Sequence, residues 1–75
     1  MEIYKNKSRG SEVWAYEMGD ESITIQFTDG SVYMYNYQSA GADAVEKMKD
    51  LAIAGHGLYR FIMQTVKKES AEKMK

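Results

Sequence analysis

Apolar and polar residues alternate through residues 12–37, and this alternation predicts β-strands. The pattern is clearest in residues 22–28, where Ile23, Ile25 and Phe27 alternate with threonine and glutamine. A period of two is typical of a strand with one buried face. These three side chains therefore define the core face of a predicted sheet.

Two glycine-containing turns divide this part of the chain into three strands. The first turn is Gly19-Asp20 and the second is Asp29-Gly30, both of which are dipeptides that favour reversal between strands. The predicted result is a three-stranded antiparallel meander in residues 12–37. Its strands cover residues 12–18, 22–28 and 31–37.

A two-residue turn between strands one and two sets their register. With this turn Tyr16 lies opposite Ile23, and Trp14 lies opposite the next core residue of strand two. Both aromatic side chains of strand one then join the core face. The residues expected on the outer face are Val13, Ala15 and Glu17.

The turn before strand three allows two registers, which place three tyrosines on opposite faces. In a two-residue turn, Val32 and Met34 face the core and the tyrosines face outward. A three-residue loop with Gly30 at a bulge reverses the two sets. The run of threonine, aspartate and glycine at residues 28–30 favours the bulged loop. The tyrosines concerned are Tyr33, Tyr35 and Tyr37.

The spacing of apolar residues changes to a helical period after a short polar connection at residues 38–42. Asp43, with Glu46 three residues later, predicts a capping box, and Gly55 is the expected stop of the first helix. A second apolar stripe begins at Leu58. The predicted helices cover residues 43–54 and 58–72.

Together these elements predict an α+β fold of order βββαα, with both helices packed on one face of the meander. The 75 residues suit one domain spanning residues 1–75, in which residues 1–11 are a candidate flexible segment. No apolar run approaches the roughly 18 residues that a membrane span needs. Because cysteine is also absent, we expect a cytoplasmic protein without membrane contact.

The residue types needed for catalysis or metal binding are scarce. The chain has no cysteine and one histidine, His56, so a zinc site or a nucleophile–base pair lacks a second member. Glu46 and Asp50 lie one helical turn apart, but the lysines between them indicate a solvated helix face. We therefore predict a protein that is not an enzyme and that has no metal or cofactor.

Several of these features occur in the order typical of a known family. They are Tyr16 on strand one, the Ile23-x-Ile25-x-Phe27 strand, Gly30, the run Tyr33-Met34-Tyr35, and residues 51–62 with their glycine turn. In this order the chain resembles the KTSC domain, a module found at the C-terminus of some lysyl-tRNA synthetases and alone in bacterial and phage proteins. The resemblance implies the strand and helix order given above and suggests RNA binding.

The chain departs from the family pattern at three points. Strand three is not followed by a proline, Tyr59 stands where many members have asparagine, and Ser70 stands where a tyrosine is common. The resemblance therefore depends on the joint order of the motifs and not on any one of them.

The leading functional hypothesis is binding of RNA or other single-stranded nucleic acid. A formal charge of −1 is not the excess expected for binding by bulk electrostatics, so a basic site has to be local. With the two-residue turn, the tyrosines stand in a row on the open face of the sheet, where they can stack on unpaired bases. Basic residues of the second helix then contact phosphates. The candidate nucleic-acid-binding residues are Tyr33, Tyr35, Tyr37, Arg60, Lys67 and Lys68.

The alternative hypothesis is a protein-interaction or self-associating module with no nucleic-acid role. Six methionines provide adaptable apolar surface, and Met18, Met34 and Met63 are those expected off the main stripes. The third strand is a candidate open edge that can pair with its copy in a homodimer. Salt dependence separates the two hypotheses, because only nucleic-acid binding should weaken steeply as salt rises.

Overall fold

The computed structural model describes residues 1–5, 12–66 and 71–74 as an antiparallel sheet followed by helices. This architecture confirms the predicted α+β class. A π-helical segment, Ile62–Val66, follows the last α-helix directly. The strands and helices are β1 (Glu2–Ile3), β2 (Val13–Met18), β3 (Ser22–Phe27), β4 (Val32–Asn36), α1 (Tyr37–Ala40), α2 (Ala42–Ala54), α3 (Leu58–Phe61) and β5 (Glu72–Lys73).

The sheet has five strands in the order β1-β2-β3-β4-β5, so the predicted meander forms its centre. The sequence predicted three strands, because β1 and β5 are two residues long and too short to show alternation. The prediction of an open edge at the third strand is wrong at two positions. There β4 pairs with β5, placing Tyr33 opposite Lys73 and Met34 opposite Glu72.

All the helical elements of the described chain that enter the core lie on one face of this sheet. The predicted core residues of β3 are 0–1% exposed, which confirms the period-two pattern. From the helical half, α2 contributes three side chains and the two elements after it contribute one each. The buried core cluster consists of Tyr4, Val13, Ile23, Ile25, Phe27, Tyr35, Val45, Met48, Ala52, Leu58 and Ile62.

The turn between β2 and β3 lies one residue later than predicted. The Gly19 amide donates to the Ser22 carbonyl at 2.9 Å, so the two turn residues are Asp20 and Glu21. Moving the turn by one residue moves the pairing by two, which places Tyr16 opposite Ile25. Because a shift of two keeps each side chain on its face, Tyr16 still packs against the core.

A β-bulge in β2 overturns the predicted positions of two residues. Val13 pairs with Phe27 and Ala15 pairs with Gln26, so Trp14 is the extra residue on its strand. Trp14, predicted in the core, is 53% exposed, whereas Val13, predicted outside, is 2% exposed. Ala15 lies on the outer face as predicted, although its neighbours cover it.

The connection between β3 and β4 is the three-residue loop that the sequence favoured. The Phe27 amide donates to the Ser31 carbonyl at 2.8 Å, which leaves residues 28–30 in the loop. Gly30 has φ +93°, a backbone conformation that side chains of L-residues rarely adopt. Tyr33 and Tyr35 consequently lie opposite core residues of β3 and face the helices.

The capping box lies seven residues earlier than predicted and starts a short helix in a segment where the sequence predicts a polar connection. Asn36 Oδ1 accepts the Ser39 amide at 2.7 Å, and the Asn36 amide donates to Ser39 Oγ at 3.0 Å. By contrast, α2 begins after Gly41 without a side-chain cap, so the box predicted at Asp43 and Glu46 is absent. The predicted stop of this helix at Gly55 is confirmed, with φ +81°.

The second predicted helix, residues 58–72, is too long. Regular α-helix covers Leu58–Phe61 and π-helix continues to Val66, while Glu72 already belongs to β5. The apolar stripe predicts a helix but carries no information about the unpaired backbone groups of β4, which β5 satisfies. Residues 67–70 of the predicted helix lie outside the described residues.

The first five residues belong to the folded structure, unlike the flexible segment expected there. Ile3 pairs with Ala15, and the Tyr4 amide donates to the Trp14 carbonyl at 3.0 Å. Tyr4 is 4% exposed, and its hydroxyl accepts the amide of Leu58 at 3.3 Å. The remaining part of the predicted segment, residues 6–11, lies outside the described residues.

We expect Gly55→Ala to destabilise the protein more than Gly30→Ala does. Both glycines have positive φ, which costs a non-glycine residue about 1–2 kcal/mol. A Cβ added at Gly55 would also lie 2.8 Å from the Lys5 Cβ, whereas a Cβ added at Gly30 would have no atom within 4 Å. Urea unfolding of both variants measures the difference, and equal losses would contradict the close approach of Lys5 to Gly55.

Candidate functional site

The tyrosines of β4 face the helices and do not form an exposed row. Tyr35 is 0% exposed, and Tyr33 meets Phe27 edge to face with ring centroids 5.6 Å apart. Tyr37 is half-buried at the start of α1. The open-face arrangement that base stacking needs is therefore wrong for Tyr35, and Tyr33 packs against the core.

Tyr37 is held by a carboxylate of α2. Its hydroxyl donates to Glu46 Oε2 at 2.7 Å, and Lys49 Nζ lies 3.2 Å from the same oxygen. The hydrogen bond to the Glu46 carboxylate raises the pKa of the Tyr37 phenol. The same bond, followed by the one to Lys49, lowers the pKa of the Glu46 carboxyl. These contacts tie α1 to α2 and leave the Tyr37 hydroxyl engaged within the protein.

Lys49 also joins α2 to the turn between β2 and β3. Its ammonium donates to the carbonyl oxygens of Gly19 and Asp20 at 2.8 and 3.0 Å. Only 14% of its side chain is exposed. Lys49, predicted on a solvated helix face, therefore has a structural role. Glu46 on the same face is paired with it.

The predicted basic contacts are only partly described. Arg60 is exposed on α3, whereas Lys67 and Lys68 lie outside the described residues. Among the described residues, no group of three or more acidic, histidine or cysteine side chains could hold a metal ion. His56 is exposed between two glycines. The structure thus places Arg60 at the surface and Tyr35 in the core, so these two members of the predicted set do not share a surface.

Two shallow grooves lie on the described surface. One of about 540 Å³ lies between the start of α2 and Phe61, where small residues form its floor and Asp43 and Lys47 line it. The other, of about 440 Å³, lies beside β2. Neither contains a buried polar side chain that could select a ligand. The second groove is lined by Met1, Glu2, Tyr16, Glu17, Met18 and Ile53.

A line of mostly apolar side chains crosses the face of the sheet that points away from the core, here named the open face. The register of the strands places one residue from each of the five strands or their immediate extensions in a line across this face. Four of the five side chains are apolar. This apolar row consists of Ile3, Ala15, Gln26, Val32 and Met74.

The two ends of the apolar row are its most exposed members. Ile3 is 59% exposed and Met74 is 57% exposed, and Val32 is partly exposed between them. The neighbouring line of side chains on the same face has a carboxylate at each end. This acidic row consists of Glu17, Thr24, Met34 and Glu72.

Most of this surface could not be predicted from the sequence, although one signal for it was present. The favoured bulged loop already placed Val32 and Met34 on the outer face. Ile3 and Met74 had no signal, because their strands are too short for alternation. Of the methionines expected off the core stripes, Met18 is 38% exposed, whereas Met63 packs against the core.

Comparisons with protein-family models, curated proteins and solved structures found no match to this chain. The resemblance to the KTSC domain therefore stays a prediction from the sequence motifs. No helix in the described part of the chain is long and apolar enough to cross a membrane. The surface chemistry of the fold is accordingly the basis for a functional proposal.

We expect Tyr35→Ala to destabilise the protein by about 3–5 kcal/mol, since removing a fully buried aromatic ring leaves a cavity. The matched change Trp14→Ala removes a ring that is 53% exposed and should cost about 1 kcal/mol or less. Urea unfolding measures both losses. A small loss for Tyr35→Ala would contradict its burial and restore it as a candidate surface residue.

We expect Tyr37→Phe to raise the pKa of the Glu46 carboxyl, because the phenol hydrogen bond is the main cause that lowers it. A carboxyl group whose pKa is lower in the folded protein stabilises the fold at pH values above the pKa of the unfolded state. This contribution is lost as the pH falls through the pKa of the folded state. The variant should therefore lose less stability on acidification. An NMR titration of the Glu46 side chain measures the pKa.

The matched control for this titration is Tyr59→Phe. That change removes the 2.9 Å hydrogen bond from Tyr59 to Glu12 and touches neither Glu46 nor its lysine partner. It should leave the Glu46 titration unchanged. A shift of the same size in both variants would show that the Tyr37 contact is not the cause.

Proposed function

We propose that this domain is a non-catalytic protein-interaction module that binds its partner through the open face of the sheet. The observation that supports the proposal is the apolar row, which crosses the whole sheet and has ends that are more than half exposed. No helix of the described chain packs on this face. Exposed apolar side chains grouped on one face are typical of an interaction site.

The dimensions of the open face suit one side of a small protein interface. Neighbouring strands lie about 4.8 Å apart, so four spacings make the row roughly 19 Å long. The row offers one polar side chain, Gln26, among aliphatic and methionine side chains. Methionine adapts its shape to different partners, as in Met34 beside the row and Met74 at its end. Trp14, which is exposed beside Ala15 in β2, adds a residue type common among interface hot spots.

Nucleic-acid binding loses its stacking surface in this fold. Tyr35 is buried, Tyr33 packs on Phe27, and the Tyr37 hydroxyl binds Glu46. The open face carries carboxylates, which repel phosphates. Binding of RNA or single-stranded nucleic acid stays a prediction, and the experiment below includes it as an outcome.

A photo-crosslinking amino acid at Met34, in the middle of the open face, tests the proposal. The matched control carries the same group at Gln38, an exposed residue of α1 on the helical side of the chain. Irradiation of cells that express each variant should give protein adducts from Met34 and few from Gln38. Adding Val32→Glu, which puts a charge into the apolar row, should remove those adducts.

Two results would overturn this function. Equal adducts from both positions, or none from Met34, would mean that the open face binds no protein partner. Salt-sensitive micromolar binding of labelled RNA or DNA oligonucleotides, with nucleic-acid adducts at Met34, would favour the nucleic-acid hypothesis. Fluorescence anisotropy at two salt concentrations measures that binding.

A further inference from the structure

The described side-chain charges on the open face are two glutamates, and the amino group of Met1 lies 3.9 Å from one of them, Glu17. Glu17 lies opposite Thr24 on this face, and Glu72 lies opposite Met34. Both glutamates are exposed. Their strands are three spacings apart, so the two carboxylates flank the face at a separation of roughly 14 Å.

The described basic side chains lie on the helices or on the side of the sheet that faces them. Lys47, Lys49 and Arg60 are on helices, which pack on the core side of the sheet. Lys73 lies opposite Tyr33, whose ring packs against the core. The fifth, Lys5, lies beside Gly55 at the end of α2. The described lysines and arginine are therefore separated from the open face, whereas acidic side chains occur on both sides of the sheet.

This separation argues against a second copy of the chain on the open face. Packing two open faces together brings two acidic rows into one interface, and the described face offers no lysine or arginine to pair with them. Like charges that meet across an interface are destabilising. A partner with basic residues gains from the same carboxylates.

We propose that the open face recognises a partner surface with an apolar centre flanked by lysine or arginine side chains. This inference rests on the proposed function and adds the chemistry of the partner. The apolar row supplies the buried centre of the contact. Glu17 and Glu72 then select the partner by charge at the rim, where charged residues control specificity and association rate.

Glu17 remains available to such a partner despite a contact within the chain. The amino group of Met1 lies 3.9 Å from its carboxylate, near the outer limit of an ion pair. The Glu17 side chain is still 68% exposed. Glu72 is exposed too. Both carboxylates can therefore accept a cation from outside.

A pair of designed peptides tests this partner chemistry. Both are 14-residue amphipathic helices with the same leucine stripe; one carries lysines beside the stripe and the other carries glutamates at the same positions. Titration of each into the isotope-labelled protein, followed by NMR, gives the affinity and the residues contacted. The lysine peptide should bind at least about threefold more tightly and shift the signals of Val32 and Met34.

Charge reversal of the acidic row supplies the specificity test. The double variant Glu17→Lys and Glu72→Lys should weaken the lysine peptide about threefold to tenfold and strengthen the glutamate peptide. The control Asp50→Lys changes an exposed acid on α2 and should alter neither affinity. Raising the salt concentration should reduce the difference between the two peptides.

The outcomes separate this inference from the proposed function. Equal binding of both peptides, or signal shifts confined to the helices, overturns the basic-partner chemistry. If Met34 still crosslinks to proteins in that case, the interaction function stands without it. A dimer in sedimentation equilibrium that Met34→Glu abolishes assigns the face to a second copy and also overturns the inference. Loss of both peptide binding and crosslinking removes both proposals.

Discussion

The three-residue loop between β3 and β4 is the constraint on which the rest of the structure depends. The hydrogen bond from Phe27 to Ser31 and the positive φ of Gly30 set the register of β4. A loop one residue shorter would move every β4 side chain to the opposite face. The observed loop places Tyr35 in the core, where it packs with residues of β3 and the helices. The same loop leaves Val32 and Met34 on the open face, so one local choice determines both the core and the candidate interaction surface.

The parts of the fold that could be predicted are those with enough residues to show a period. The alternation of β3, the stop of α2 at Gly55 and the favoured loop at residues 28–30 all agree with the structure. The sequence could not reveal β1 and β5, because each has two residues and depends on a strand distant in the chain. The predicted positions of Val13 and Trp14 were wrong for a related reason. Alternation assumes a regular ladder, and a single extra residue exchanges the faces of the side chains beyond it.

The candidate site was hard to predict for the same reason. The tyrosine row looked like a binding surface only in the register that the structure does not adopt. The apolar row on the open face combines residues from all five strands or their extensions, including Ile3 and Met74 at its ends. No single segment of sequence contains it, because pairing between distant strands brings its members together. What could be predicted locally was the outward position of Val32 and Met34 once the bulged loop was chosen.

Charge adds a feature that the total composition conceals. Ten basic and eleven acidic residues give a nearly neutral chain, for which long-range attraction to any one class of partner is weak. Folding places the described lysines and arginine on the helical side and leaves Glu17 and Glu72 on the open face. A partner that touches one face responds to the charges of that face and not to the net charge of the chain. A neutral domain can therefore discriminate between partners by the sign of charge around an apolar centre, provided that its two faces differ as they do here.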